Sequence, residues 1–326
     1  MSIVVQKFGG SSVRDAAHMR RAAERIAEAY RSENDVIAVL SAQGSNTDRL
    51  LALAEEVNPR AHGRELDMLL ATGEQASVAL CAMTLEQMGV PSVSFCGWQA
   101  GILTDSVYGS AAIRRIRRER IDDAHRKGKV ALVAGFQGMD DGGNITTLGR
   151  GGSDTSAVAL AACFGAADCF IFTDVDGVYT ADPRFCPQAR HRDAVSYGDM
   201  LLLSQYGAQV LHDRSVALAQ EKRVPVTVLS CSQESRRSVI GDVPDRTGFL
   251  GVTQKREGDG VRVCVVLRPQ PTGETEKTVA AALCENGIAV RETRISPYAV
   301  SVLLAREDAE KAVLLLHEAF GTETAD

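Results

Sequence analysis

None of the eight cysteines stands in a C-x-x-C pair, and none of the six histidines has metal-ligand spacing. Most of the cysteines lie in apolar stretches. This excludes a zinc module and a disulfide scaffold and implies reduced core thiols, as expected of a cytoplasmic protein. Positive charge is in deficit: 36 Lys and Arg against 42 Asp and Glu give a net charge of −6. Such a balance argues against nucleic acid or an anionic membrane as the main partner, while leaving room for a local basic pocket. No apolar run is expected to span a bilayer, the longest, around 157–167, being short and alanine-rich. The chain enters a strand almost at once, so no basic-then-apolar leader is expected. Low-complexity tracts and internal repeats are lacking.

What is present is ordinary globular composition, 45% hydrophobic and 24% charged. A chain of 326 residues suits two domains and a core that needs no metal or disulfide. Short apolar runs at 2–7, 35–40, 91–95, 129–136, 169–173 and 226–229 read as strands. Between them, 13–30, 65–88, 200–212 and 215–222 have helical spacing, and 114–127 reads as a basic, solvated helix. Strands separated by helices imply an α/β fold, a mostly parallel sheet sandwiched by helices. Ligands in such folds sit at the carboxyl ends of the strands. The loops after Lys7, Leu40, Phe136 and Thr173 should therefore open on one crevice. A polar Gly/Pro stretch at 232–251 marks a boundary between a first domain at 1–240 and a small α+β domain at 250–326.

Four segments carry chemistry. T-L-G-R-G-G-S-D-T-S-A, Thr147–Ala157, puts a cation, Arg150, and an anion, Asp154, on one glycine turn. Gly151 and Gly152 leave its backbone open, an arrangement that suits a zwitterion such as an amino acid. An incidental surface Arg–Asp pair has the same pattern. Lys7-Phe8-Gly9-Gly10-Ser11-Ser12 delivers a lysine and two glycines from a strand to a helix start, where backbone N–H groups cradle phosphate. It is not the P-loop pattern, and a plain turn reads alike. Thr173-Asp174-Val175-Asp176-Gly177 followed by Tyr179 and Arg184 resembles half of a calcium loop, but Phe185 stands where that loop needs glutamate. A nucleotide pocket or a capped turn remains. Gly73-Glu74 puts a carboxylate in an apolar helix, where it needs a partner: a ligand's ammonium or an internal cation. Thr47, in the small-residue loop after Leu40, can reach a ligand.

In order, K-F-G-G-S-S, S-A-Q-G-S-N-T-D, T-G-E-Q-A-S, W-Q-A-G-I-L-T-D, A-G-F-Q-G, T-T-L-G-R-G-G-S-D-T-S-A, T-D-V-D-G-V-Y-T-A-D-P-R and G-A-Q-V-L-H-D-R resemble the aspartate kinases of the amino-acid kinase superfamily across nearly all of 1–232. The resemblance implies ATP-dependent phosphorylation of the L-aspartate β-carboxylate, opening the route to lysine, threonine and methionine. It implies phosphate-side roles for Lys7, Phe8, Gly9 and Gly10. It places Thr47, Glu74, Arg150, Gly151, Ser153 and Asp154 around aspartate, with Lys7 and Asp154 catalytic. Thr173, Asp174, Tyr179, Arg184 and Gln209 fall on the nucleotide side. A carboxylate nucleophile is already ionised at neutral pH and needs no general base. Lys7 and a magnesium ion carried mainly by ATP phosphates would neutralise the approaching anions. No metal ligands are assigned in the protein.

Two departures stand out. Gln209 replaces a lysine of the family pattern, and Asp213 stands where proline is common. They keep open a kinase for another acidic amino acid or a catalytically weak amino-acid sensor. The C-terminal region has room for one ACT-like module, where relatives commonly carry two. Phe249–Lys255, or a strand borrowed from a partner, is expected to supply its missing edge strand, since 321–326 is poor strand material. The resemblance implies a homodimer through this module.

Overall fold

A computed structural model describes residues 2–231 and 236–321. Part of the anticipated 232–251 boundary and the tail 322–326 thus lie outside the described residues. The chain forms two compact units, Met1–Asp176 with Ala217–Val239, and Gly177–Val216 with Ile240–Asp326.

The first unit runs β1 (Ile3–Phe8), α1 (Ala16–Arg31), β2 (Asp35–Leu40), α2 (Asn46–Val57), α3 (Arg64–Leu70), α4 (Thr72–Gln87), β3 (Ser92–Phe95), β4 (Ile102–Thr104), β5 (Ile113–Ile116), α5 (Glu119–Arg126), β6 (Val130–Ala134), β7 (Gln137–Met139), β8 (Ile145–Thr147), α6 (Gly152–Phe164) and β9 (Cys169–Thr173). The chain continues through β10 (Val178–Tyr179), β11 (His191–Arg192), β12 (Ala194–Ser196), α7 (Tyr197–Gln205) and α8 (Asp213–Lys222) to β13 (Val226–Ser230). Six strands pair in parallel in the order β13-β9-β1-β2-β6-β3. Their near-continuous Val, Ile, Ala and Leu runs are those of strands buried on both faces. Helix α1 starts where the Asp15 side chain accepts a hydrogen bond from the His18 N–H. It buries Met19, Ala22, Ala23 and Ile26, at helical spacing, against Phe8, Ala38 and Leu40. A fully buried Ile or Leu of this kind contributes about 1.5–3 kcal/mol.

One expectation is corrected. The basic stretch 114–127 is not one helix. Pairing with β4 draws its first residues into β5, in a small sheet of order β5-β4-β7-β8, and only Glu119–Arg126 is helical. Tertiary pairing overrides the local helical spacing there. Arg64–Gln87 also forms a nearly continuous helical run long and apolar enough, by length and composition, to cross a bilayer. Its buried Asp67 and Glu74 bond to neighbouring loops of the first unit, which ties the run to this unit.

The second unit adds β14 (Arg237–Gly241), whose last residues lie in it, then β15 (Gly248–Glu257), β16 (Gly260–Arg268), α9 (Gly273–Cys284), β17 (Glu292–Ser296), β18 (Ala299–Leu304) and α10 (Ala309–Gly321). An antiparallel sheet of order β15-β16-β18-β17 packs Val263, Val265, Val300 and Val302 against Val279 and Leu283 of α9 and Val313 and Leu316 of α10. Phe249–Lys255 lies in β15 and pairs with β16, as the missing strand was expected to do. All eight cysteines are free; Cys284 is exposed, whereas Cys81, Cys169, Cys186 and Cys264 are buried.

Candidate active site

The register of the parallel sheet assembles the site. Phe8 lies opposite Leu40 on one side and Phe172 on the other, and its ring stacks on Phe172 at 4.7 Å between centroids. Beyond these residues the strands stop together and their loops bond to one another. Gly9 N–H donates to the Phe172 carbonyl, Ser41 N–H to that of Phe8, and Gly135 N–H to that of Leu40. The loops after β1, β2, β6 and β9 therefore meet at one edge, as the sequence implied.

Lys7 is the last but one residue of β1. Its Nζ lies 2.6 Å from Asp154 Oδ1, and the two side chains are 10% and 12% exposed. Gly9 and Gly10 follow. A Cβ on Gly10 would meet the Ala42 carbonyl at 2.8 Å, so the glycine lets β1 and the loop after β2 approach closely.

Asp154 and Ser153 occupy the first turn of α6, whose N-cap, Gly151, is left-handed at φ +67°. Both are buried. Their N–H groups belong to the unsatisfied N-terminal turn of a helix, where a ligand anion is favoured. Arg150 stands just before, exposed, on a turn with Gly149 at φ +76°. A Cβ on Gly135 would press on Ser153 at 2.9 Å, so only glycine fits there. Phe136 adopts φ +69°, unusual for a bulky residue. The Ser156 hydroxyl receives its N–H, and its carbonyl accepts from Leu148 N–H. This strained residue couples the end of β6 to the Arg150 turn.

Glu74 sits in the first turn of α4, 3% exposed. Its Oε1 accepts from Ala42 N–H at 3.1 Å, while its Oε2 is buried with no hydrogen-bond partner. Burial raises its pKa from 4.5 to about 7. No internal lysine or arginine pairs with it among the described residues, so a ligand's ammonium is the partner that fits. Gly73 makes the approach possible, because a Cβ there would lie 2.9 Å from that of Ala42. Thr47, half-buried, lies in the first turn of α2.

Thr173 and Asp174 lie at the end of β9, with the Thr173 hydroxyl donating to Asp174 Oδ1. Tyr179, Arg184 and Gln209 belong to the second unit. Tyr179 stands edge-on to His191, and Arg184 forks onto Asp182. Within the first unit, then, Lys7, Gly9, Gly10, Glu74, Ser153 and Asp154 come together, with Arg150 on the adjoining turn.

Sequence reasoning missed Asp67, Gln137 and the Ala42 amide. Gln137 is fully buried and donates from Nε2 to the Ala71 carbonyl, at the break between α3 and α4. Asp67 had a signal: it is an acid in an apolar helical run, seven residues before Glu74 and so on the same face.

The chain matches the model of the amino acid kinase family over residues 2–230. It is 46% identical to an aspartokinase of Mycolicibacterium smegmatis, across 86% of this chain and 68% of that one. It is 40% identical to an aspartokinase of Geobacillus stearothermophilus, across 99% and 81%. The solved structure of E. coli aspartokinase III in complex with aspartate and ADP superposes with a TM-score of 0.81, covering 98% of this chain and 100% of that chain at 21% identity. Aspartate kinase from Synechocystis gives 0.67, covering 100% and 70%, at 27% identity.

Proposed function

We infer the reaction from the chain's family: it belongs to the amino acid kinases and, among them, to the aspartokinases. It transfers the γ-phosphoryl group of ATP to the β-carboxylate of L-aspartate, giving 4-phospho-L-aspartate and ADP. The observation that carries the substrate reading is the buried, half-satisfied Glu74 carboxylate in the same assembly of loops as the Arg150 turn. Arg150 holds the α-carboxylate as a fork, Glu74 takes the α-ammonium, and Thr47 and Ser153 complete the contacts. That leaves the β-carboxylate to face the nucleotide. Lys7 donates to the phosphoryl oxygens as charge develops, and Asp154 holds Lys7 in place. Gly9 and Gly10 bring backbone close to the phosphates. Thr173 and Asp174, at the end of β9, serve the nucleotide from the first unit.

Among the described residues no group of three or more His, Cys, Asp or Glu is gathered to hold a metal. A magnesium ion carried on the ATP phosphates would supply charge neutralisation there. Residues 1–240 form the catalytic domain and 250–326 a single ACT-like module through which the chain forms a homodimer. The test is L-aspartate-dependent ADP release, with hydroxylamine trapping of the acyl phosphate, compared across aspartate, glutamate and succinate. ADP release without a trapped hydroxamate, or a preference for glutamate, would overturn the assignment.

A further inference from the structure

We propose that Asp67 is a positioning residue that sets the spacing between the two groups holding the ends of the amino acid, Glu74 and the Arg150 turn. The inference rests on the substrate reading above and extends it to a residue that touches no substrate.

Asp67 is 1% exposed and its carboxylate accepts three hydrogen bonds, all from distant segments. Oδ2 accepts from Thr147 N–H at 2.6 Å and from Gly109 N–H at 3.0 Å. Oδ1 accepts from the Thr147 hydroxyl at 2.9 Å. Thr147 is the last residue of β8, and Arg150 follows three residues later. Gly149 and Gly151, on either side of Arg150, are both left-handed, so the turn between them has glycine's freedom and must be fixed from outside. The Asp67 clamp and the bond from Leu148 N–H to the Phe136 carbonyl do so.

Two turns further along the same helical run stands Glu74. Seven residues make about two turns, or about 10 Å along the axis, on one face. Ala71 N–H donates to the Asp67 carbonyl and Gln137 donates to the Ala71 carbonyl, which hold the run together across its break. One helical strut thus carries the ammonium partner and, two turns earlier, grips the strand that delivers the carboxylate partner. The α-ammonium and α-carboxylate share one carbon, so their separation is fixed. A site that grips both must hold its own groups within about 0.5 Å of the matching distance. A carboxylate with three donors supplies that rigidity.

The experiment measures KM for aspartate and for ATP, and kcat, in the wild type, Asp67→Ala, Asp67→Asn, Arg150→Ala and Asp67→Ala/Arg150→Ala. Asparagine can accept both N–H groups through its carbonyl and donate to the Thr147 hydroxyl, so it preserves all three contacts. Asp67→Ala is expected to raise KM for aspartate about 10-fold or more, with KM for ATP moving less than about 2-fold. Asp67→Asn should stay within about 3-fold of the wild type, a conservative rescue. If Asp67 acts through Arg150, then adding Asp67→Ala to Arg150→Ala should raise KM for aspartate by less than a further factor of about 2. Equal losses for both substrates, an unchanged KM for aspartate, or full additivity with Arg150→Ala would overturn the proposal. Should Asp67→Ala fail to fold, Thr147→Val, which removes only the hydroxyl contact, carries the same comparison with a rise of about 3-fold. Wild-type turnover separates the two readings: without it the function proposed above falls and takes this one with it, and with it the variants judge Asp67 alone.

Discussion

Two side chains, Lys7 and Glu74, carry opposite demands. Lys7 is paired at 2.6 Å and little exposed. Lys7→Met should lower kcat about 100-fold or more, the worth of one transition-state donor, while KM for aspartate changes little. It also strands Asp154, so the melting temperature should fall by the equivalent of about 1–3 kcal/mol. Turnover near the wild-type rate in this variant removes Lys7 from the mechanism. Glu74 is the reverse case, a carboxylate short of partners. Its pKa is raised from 4.5 to about 7 by burial, so between those values the folded chain keeps a proton that the unfolded chain has released. Stability from this group therefore declines as pH rises from about 4.5 through 7, and the cost is complete above that. An incoming ammonium favours the ionised form, so aspartate binds better as pH rises through 7. At saturating ATP, log kcat/KM for aspartate should drop with unit slope below about pH 7, and Glu74→Gln should lack that limb. The same limb in the variant would assign it to another group. At this scale the sequence was readable where a charged residue stood beside glycines, as Lys7 and Arg150 do. At Asp67 the sequence showed an acid in an apolar helical run but was silent on its partners, Gly109 and Thr147, which lie 42 and 80 residues away. It was equally silent on Ala42, which contributes only a backbone N–H.

Among elements, the strand ends were legible because their signals are local: an apolar run, then glycine. Their meeting follows from parallel register alone, so the loops after Lys7, Leu40, Phe136 and Thr173 could be assigned to one edge without coordinates. The conformation of Phe136 and the conversion of 113–116 into β5 were not legible, since both are set by a neighbouring strand. The junction of β6 with α6 shows how tightly the elements are set. A Cβ on Gly135 would lie 2.9 Å from Ser153 Cβ and Oγ and from Val39 Cγ1. Gly135→Ala should push the first turn of α6, with Ser153 and Asp154, away from Lys7. The expected result is at least a 10-fold fall in kcat/KM and a loss of about 1–3 kcal/mol in stability, the usual cost of overpacking. Gly273→Ala is the control, because a Cβ there meets nothing within 4 Å. Equal activities for the two variants in the coupled ADP assay would show that the α6 turn tolerates displacement.

For the whole molecule, assembly comes down to the two edges of the antiparallel sheet. One edge is already engaged: Val252 N–H of β15 donates to the Thr180 carbonyl at 2.7 Å, and Arg192 Nη2 donates to the Phe249 carbonyl. His317 buttresses the same place, with Nε2 2.8 Å from the Thr180 hydroxyl. The opposite edge, β17, presents Thr293, Arg294 and Ile295 to solvent, with Ile295 50% exposed. An uncovered edge strand with an exposed apolar side chain is a pairing surface, and pairing about a two-fold axis closes it. The homodimer proposed for this chain should therefore form through β17. A stable interface needs about 1,000 Å² or more of buried surface, so neighbouring exposed groups such as Val290 and Tyr298 would join it. Ile295→Arg places like charges at the centre of that surface, beside Arg294. It should weaken the dimer about 10-fold or more, the cost of roughly one uncompensated charge contact. Light scattering after size exclusion, run over a dilution series, reads this directly. A wild-type chain that stays monomeric at every concentration, or an Ile295→Arg variant that dimerises as tightly as the wild type, would rule out β17 as the contact.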